Sequence, residues 1–216
     1  MRKHDVLLAD DHAIIRDGLR QILGETDDLQ AAGEAANAQQ VLERLAEREW
    51  DVLVLDVSMP GRSGIDLIRQ IRSDGNEIPI LVLSMHDEEQ YALRALKAGA
   101  SGYLNKEADT EILLDAIRKV MRGGVYVSPA VAELMARDLI GGGRQRHQAL
   151  SDREFDIFLK LAAGNGLTEI ADELSISVKT VSTHKTRIMQ KMEMQNLTDL
   201  VRYALKNRLI PAGEAE

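Results

Sequence analysis

The sequence predicts an α/β protein in two parts: a doubly wound, five-stranded parallel sheet followed by an all-α, four-helix domain. Three observations predict it. Up to about residue 122, short apolar runs alternate with longer stretches of helical period, the pattern of a parallel sheet covered on both faces. Past the triplet Gly141-Gly142-Gly143 helical patterns continue with no strand between them. The length of 216 residues exceeds one common domain and suits two.

Strands are expected over residues 5–9, 30–34, 52–55, 80–83 and 102–104. The third and fourth are nearly unbroken Val, Leu and Ile, as strands buried on both sides are. Helices are expected between them at 13–23, 38–48, 64–73, 88–98 and 110–122. The last carries Ile112, Leu113, Ala116, Ile117 and Val120 at helical spacing and ends at Gly123-Gly124. These elements make a domain over residues 1–122, flavodoxin-like with strand order 2-1-3-4-5.

A linker over 123–148 follows, holding a helix at about 129–140 that starts on Pro129, a residue suited to a first turn. The second domain spans 149–210. Ser151 and Glu154 have the spacing of a capping box, opening a helix to residue 163. Helices at 168–174, 178–192 and 198–207 follow, and 211–216 reads as a tail.

Composition narrows the function. With 44% hydrophobic and 29% charged residues the chain can fill two modest cores. The absence of cysteine removes disulfides, thiolate metal sites and thiol catalysis. The first ten residues are too short and too charged for a signal peptide, and no apolar run approaches the ~20 residues of a membrane span. A soluble, cytoplasmic protein without membrane contact is expected. Net charge is −8, all of it in the residues up to Val125; from Tyr126 onward 12 cations balance 12 acids. Within that neutral half, Ser175 to Ile210 holds seven Lys and Arg against two acids, a stretch able to face phosphate.

In a sheet of this order, ligands bind at the carboxyl ends of the strands, beside the point where strands one and three are neighbours. Asp10 and Asp11 follow strand one, Asp56 follows strand three, Ser84 strand four, and Lys106 comes just past strand five. Three carboxylates in one cleft raise one another's pKa unless a cation joins them. Mg2+ suits an oxygen-only donor set with room for water and a phosphoryl oxygen. With that ion seated, Asp56 is a nucleophile toward phosphorus, while Lys106 and Ser84 meet the charge on the transferring oxygens.

The segments Leu7-Leu8-Ala9-Asp10-Asp11-His12, Asp56-Val57-Ser58-Met59-Pro60-Gly61 and Lys97-Ala98-Gly99-Ala100-Ser101-Gly102-Tyr103-Leu104-Asn105-Lys106 resemble the receiver domain of two-component response regulators. That resemblance implies phosphoryl transfer to Asp56 from a sensor histidine kinase. It implies Mg2+ held by Asp11, Asp56 and the Ser58 carbonyl with Asp10 acting through water, and a switch pair of Ser84 and Tyr103. Asn105 departs from the apolar residue usual at its position. His12 and His86 are left unassigned to the metal, and Ser58 with His86 is expected to set the lifetime of the phosphoryl group.

In the helix at 178–192, a step of ~100° per residue places Val178, Val181, Ile188, Met189 and Met192 on one face, expected to point inward. Lys179, Ser182, Thr183, Thr186, Arg187 and Gln190 share the other, a surface of hydroxyls and long cations suited to a DNA major groove. The short helix before it and the tight break between form a helix-turn-helix layout. Leu150-Ser151, Arg153-Glu154, Gly164, Glu169-Ile170-Ala171, Thr180-Val181 and His184 resemble the LuxR-type DNA-binding domain, and with a receiver they match the NarL/FixJ class. The resemblance implies base contacts from Ser182, Thr183 and Thr186, phosphate contacts from Lys179, Lys185 and Arg187, Thr180 in the same surface, and a structural His184. Lys185 lies near the apolar side, so its stem is expected to pack while its head reaches out.

The expected protein is a phosphorylation-controlled transcription regulator, not an enzyme. Its expected partners are promoter DNA, a histidine kinase, the transcription machinery and, on activation, a second copy. Two alternatives stand beside this: a DNA binder whose receiver is a phosphate-independent dimerisation module, and a Mg2+-dependent phosphatase acting on an external substrate.

Overall fold

A computed structural model describes residues 3–59, 63–85, 88–139, 145–207 and 209–210. The chain forms two compact units, Met1–Arg137 and Asp138–Glu216.

The first unit is built on five parallel strands, β1 (His4–Ala9), β2 (Leu29–Ala35), β3 (Val52–Asp56), β4 (Ile80–Ser84) and β5 (Gly102–Asn105), in the order β2-β1-β3-β4-β5. The inner strands β3 and β4 are buried along their whole lengths, while edge strand β2 is buried only at its two end residues, Leu29 and Ala35. Helices α1 (Ala13–Gly24), α2 (Ala38–Glu47), α3 (Gly64–Ser73), α4 (Glu88–Ala98) and α5 (Thr110–Met121) connect or follow the strands.

Alternate residues of a strand point to opposite faces. Val6, Leu8, Val52, Val54, Leu81, Leu83 and Leu104 line one face and form a core with Leu19 and Leu23 of α1 and Leu113, Ala116, Ile117 and Val120 of α5. Right-handed crossovers put α2, α3 and α4 on the other side, where Val41, Leu67, Ile68 and Ile71 are buried.

Two stretches expected in the linker carry defined contacts. After α5, Tyr126 runs along β5: its amide donates to the Ser101 carbonyl at 3.0 Å, and its carbonyl accepts from the Tyr103 amide at 2.9 Å. A side chain on Gly102 would meet the Tyr126 carbonyl at 2.9 Å, so the close approach needs glycine. Helix α6 (Pro129–Leu139) follows. Further on, Arg146–Ala149 form a 3₁₀ turn whose His147 is buried in the second unit, its Nδ1 3.0 Å from the Tyr203 hydroxyl. The periodicity of so short a turn is invisible in a polar sequence. Gly141 to Gly143 and residues 211–216 lie outside the described residues.

The second unit contains α7 (Asp152–Ala162), α8 (Leu167–Glu173), α9 (Val178–Met192) and α10 (Leu197–Lys206). Phe155, Phe158, Leu161, Ile170, Val181, Ile188, Met192, Leu200 and Ala204 are its buried apolar residues. Each of three helices starts on a side chain that satisfies an orphan amide: Ser151 accepts from Glu154, Ser177 from Thr180, and Asn196 from Asp199. The Ser151 box is reciprocal, since the Glu154 carboxylate accepts from the Ser151 amide at 2.8 Å.

Candidate functional site

The carboxyl edge of the sheet gathers the predicted polar residues of the first unit. Asp10 follows β1 directly, Asp56 ends β3 and Ser84 ends β4; the first two are 2% exposed and Ser84 is fully buried. Because β1 pairs with β3, β3 with β4 and β4 with β5, these ends line one edge. Lys106 comes next after β5, with its amide donating to the Ser84 carbonyl at 3.0 Å.

The Lys106 ammonium donates to Asp10 Oδ2 at 2.6 Å and to Asp56 Oδ2 at 2.7 Å. Burial pushes this ammonium down, but the hydrogen bonds and charges of Asp10 and Asp56 outweigh it and leave the lysine above its ordinary value. The other Asp56 oxygen accepts from the Ser58 amide at 2.8 Å. The loop doing this turns back tightly: a side chain on Gly64, the first residue of α3, would stand 2.4 Å from the Val57 Cα. The Asp10 carbonyl accepts from the Arg16 guanidinium at 2.6 Å, which also pairs with Glu34 at 3.0 Å.

Oxygens of Asp10, Asp11 and Asp56 and a nitrogen of His12 all lie within 4.8 Å of one another. Asp11 Oδ1 is shielded from solvent and takes part in no hydrogen bond. A buried carboxylate oxygen that makes no hydrogen bond is costly, even facing His12 Nδ1 at 2.9 Å as this one does, and a set rich in carboxylate oxygens is what a hard divalent cation takes. The residues therefore fit a cation.

Tyr103 is buried at 2% exposure and pairs in register with Val82, as Asn105 does with Ser84. The unusual Asn105 has local work: its side-chain oxygen accepts from the Glu107 amide at 2.8 Å, holding the turn that follows Lys106. Pro60, Gly61 and His86 lie outside the described residues.

On α9, Lys179, Thr180, Ser182, Thr183, Thr186 and Arg187 are exposed and Lys185 is half-buried, against buried Val181, Ile188 and Met192. Val178, expected inward, is 43% exposed. It is the first helical residue, so no preceding turn covers it. Met189 is half-buried. Three hydroxyls are engaged within the helix: Thr183 donates to the Lys179 carbonyl at 2.9 Å, Thr186 to the Ser182 carbonyl at 3.1 Å, and Thr180 stands 2.7 Å from the Ser177 hydroxyl. Their oxygens still offer lone pairs outward.

Pairs distant in sequence tie α7 to α9 and to the end of α8. Buried Glu154 of α7 accepts from Lys191 of α9 at 2.6 Å, and Arg153 donates to the Leu174 carbonyl at 2.9 Å. Burial pushes Glu154 up, but Lys191 and the Ser151 amide prevail and hold it below the usual carboxylate range. His184 has a buried Nδ1 with no hydrogen-bond partner, and burial holds its imidazole below the ordinary value. Position 184 thus faces inward, as a structural residue does. The turn before α9 puts Ser175 in the left-handed region, at φ 52°.

Residues 6–118 match the response regulator receiver domain family, and residues 148–204 match the luxR family of bacterial regulatory proteins. The chain is 37% identical over 213 residues to the oxygen regulatory protein NreC of Staphylococcus carnosus (strain TM300), covering 95% of this chain and 98% of that protein. Among solved structures, the response regulator ChrA of a heme-sensing two-component system aligns with 97% of this chain and 100% of its own, at 36% identity and a TM-score of 0.53. RcsB from Salmonella enterica serovar Typhimurium, bound to promoter rprA in the presence of the phosphomimetic BeF3-, aligns at 27% identity and a TM-score of 0.63, covering 94% of this chain and 98% of that one. With a receiver domain in front and a LuxR-type helix-turn-helix behind, the chain belongs to the response regulators and is a DNA-binding regulator of transcription rather than an enzyme.

Proposed function

We propose that Asp56 accepts a phosphoryl group from a phosphohistidine of a sensor kinase, and that this controls DNA binding by α9. The observation carrying the reading is the Lys106 ammonium, held at 2.6 and 2.7 Å between Asp10 and Asp56. A carboxylate oxygen of Asp56 forms the new P–O bond as the P–N bond to the kinase imidazole breaks and the imidazole leaves with the bonding pair. Asp11, Asp56 and the Ser58 carbonyl would hold Mg2+, with Asp10 acting through water, and the bound ion would supply positive charge beside the phosphoryl oxygens. Lys106 meets a second of those oxygens, and the Ser84 hydroxyl turns toward the group, with the Tyr103 ring filling the space behind it. Repacking of the β4, β5, α4 and α5 face favours a homodimer.

In the DNA-bound state, Ser182, Thr183 and Thr186 face base edges, Lys179, Lys185 and Arg187 face phosphates, and Thr180, hydrogen-bonded to the capping Ser177, lies in the same surface. Two copies read half-sites about 10 base pairs apart. RcsB bound to promoter DNA with a phosphomimetic supports this order of events. The described residues contain no helix long and apolar enough to cross a membrane, and the proposed setting is the cytoplasm, where promoter DNA and the transcription machinery are found.

Binding to a selected DNA site at fixed salt, with and without Mg2+ plus acetyl phosphate, tests the proposal on wild type and Asp56→Ala. A gain in affinity confined to wild type is expected. Equal binding by both proteins in every condition overturns phosphorylation control and favours a receiver that only dimerises.

A further inference from the structure

We infer that Thr183 and Thr186 each select an A·T base pair, by setting a methyl group against the methyl of thymine; this rests on the reading above, in which α9 lies in the major groove.

A hydroxyl has one proton to give. Thr183 gives its proton to the Lys179 carbonyl at 2.9 Å, and Thr186 gives its own to the Ser182 carbonyl at 3.1 Å. Both side chains are exposed. What they have left for a ligand is a methyl group and oxygen lone pairs, and no donor. Back-bonding of this kind is ordinary for threonine in a helix; its consequence lies in what remains for DNA.

In the major groove guanine shows two acceptors, N7 and O6. A hydroxyl oxygen whose proton is committed elsewhere meets them lone pair to lone pair. Thymine shows a methyl group beside O4, and adenine an amino donor beside N7. An A·T pair therefore has a partner for each group that threonine has left: methyl for methyl, and an amino hydrogen for the oxygen. A G·C pair has only the cytosine amino group. Donating to guanine instead requires breaking the bond to the carbonyl one turn back, at a cost of about fivefold in affinity.

The rest of the face agrees with this division. Thr183 and Thr186 are three residues apart, about 4.5 Å along the helix axis, and address neighbouring positions of one half-site. Helix α9 carries no Asp or Glu, so no carboxylate on it competes for amino groups. Among the described residues no hydrogen bond engages the exposed Ser182 hydroxyl. Ser182 can both donate and accept, and it is the hydroxyl of this face left able to meet guanine.

Full-length protein, with Mg2+ plus acetyl phosphate, is used to select sites from a randomised DNA library. Fluorescence anisotropy then gives affinities for the selected site and for versions in which each thymine of one half-site is replaced in turn by uracil. That replacement removes the methyl and keeps O4. Wild type, Thr183→Ser, Thr186→Ser and Thr183→Val are compared. Wild type is expected to lose about fourfold at one thymine for each threonine, the worth of one buried methyl. Thr183→Ser should abolish the loss at one of these thymines and Thr186→Ser at the other, whereas Thr183→Val, which keeps a methyl, should retain it. Uracil losses that are the same in wild type and in both Ser variants, or Ser variants that lose affinity at a position preferring guanine, overturn the inference and leave α9 in the groove. If wild type enriches no sequence, or no variant changes the ranking of sites, these residues do not meet bases, and the reading of α9 fails together with the inference.

Discussion

Lys106 and Asp56, fifty residues apart, meet at 2.7 Å, and the same ammonium reaches Asp10 at 2.6 Å. All three side chains are almost fully buried, at 7%, 1% and 3% exposure. One cation thus holds two carboxylates at the edge where strands β1 and β3 are neighbours, and its loss leaves like charges facing each other in low dielectric.

Replacing Lys106 with Met should therefore destabilise the first unit by about 3 kcal/mol in metal-free buffer. Mg2+ should restore part of this loss, because a divalent ion neutralises the same carboxylates. Urea unfolding followed by the fluorescence of Trp50, the single tryptophan, measures both. Equal stability of wild type and variant without metal would show that the lysine bridge contributes nothing.

Glu154 does two things at once, capping α7 through Ser151 and pairing with Lys191 of α9. Ser151→Ala removes one cap bond and should cost about 1 kcal/mol. Glu154→Ala also strands the lysine and should cost about 2 kcal/mol or more. Hydrogen exchange resolved to peptides of α7 and α9 gives the comparison; equal losses would reduce Glu154 to a cap.

Acid should weaken the second unit in two separate windows. His184 has its folded pKa held below that of the unfolded chain. The neutral ring's contribution is complete above the unfolded value of ~6.5 and is lost as pH falls from there through the folded value. Glu154, also depressed, contributes fully above ~4.3 and loses its share only below that. A His184→Gln protein should lack the upper window and keep the lower one. Stability measured by hydrogen exchange or denaturant from pH 7.5 to 4 distinguishes them.

Ser175 holds a left-handed backbone at φ 52° between α8 and α9, a conformation that costs a non-glycine residue about 1 kcal/mol. Ser175→Gly relieves this strain but frees the unfolded chain, so a net gain of roughly 0.5 kcal/mol is expected. A loss of stability would mean that the serine side chain supports the turn.

On DNA, Lys179→Ala should weaken binding to all sequences alike and reduce the slope of log affinity against log salt by about 0.9. Ser182→Ala should leave that slope alone and change the ranking among sites. Fluorescence anisotropy over a salt series, on a site and its single-base variants, reads both. A Lys179→Ala protein with an unaltered slope would take that lysine off the phosphates.

Much of this molecule was legible in sequence because periodicity is local. The unbroken apolar runs at residues 52–55 and 80–83 require strands buried on both faces; the helix ranges 64–73, 88–98 and 178–192 coincide with α3, α4 and α9. Strand-end placement of Asp10, Asp11, Asp56, Ser84 and Lys106 follows from counting residues, as does the hydroxyl-rich face of α9. Distances were not legible, since they depend on which strands become neighbours. The lysine bridge, the pairing of Glu154 with Lys191 and the burial of His147 against Tyr203 join residues whose separation along the chain carries no signal. Sequence by itself determined the elements and the chemical inventory at one sheet edge and one helix face. Tertiary structure alone decided which charges share a buried space, because electrostatic energy depends on separation and solvent exclusion, and only packing sets those.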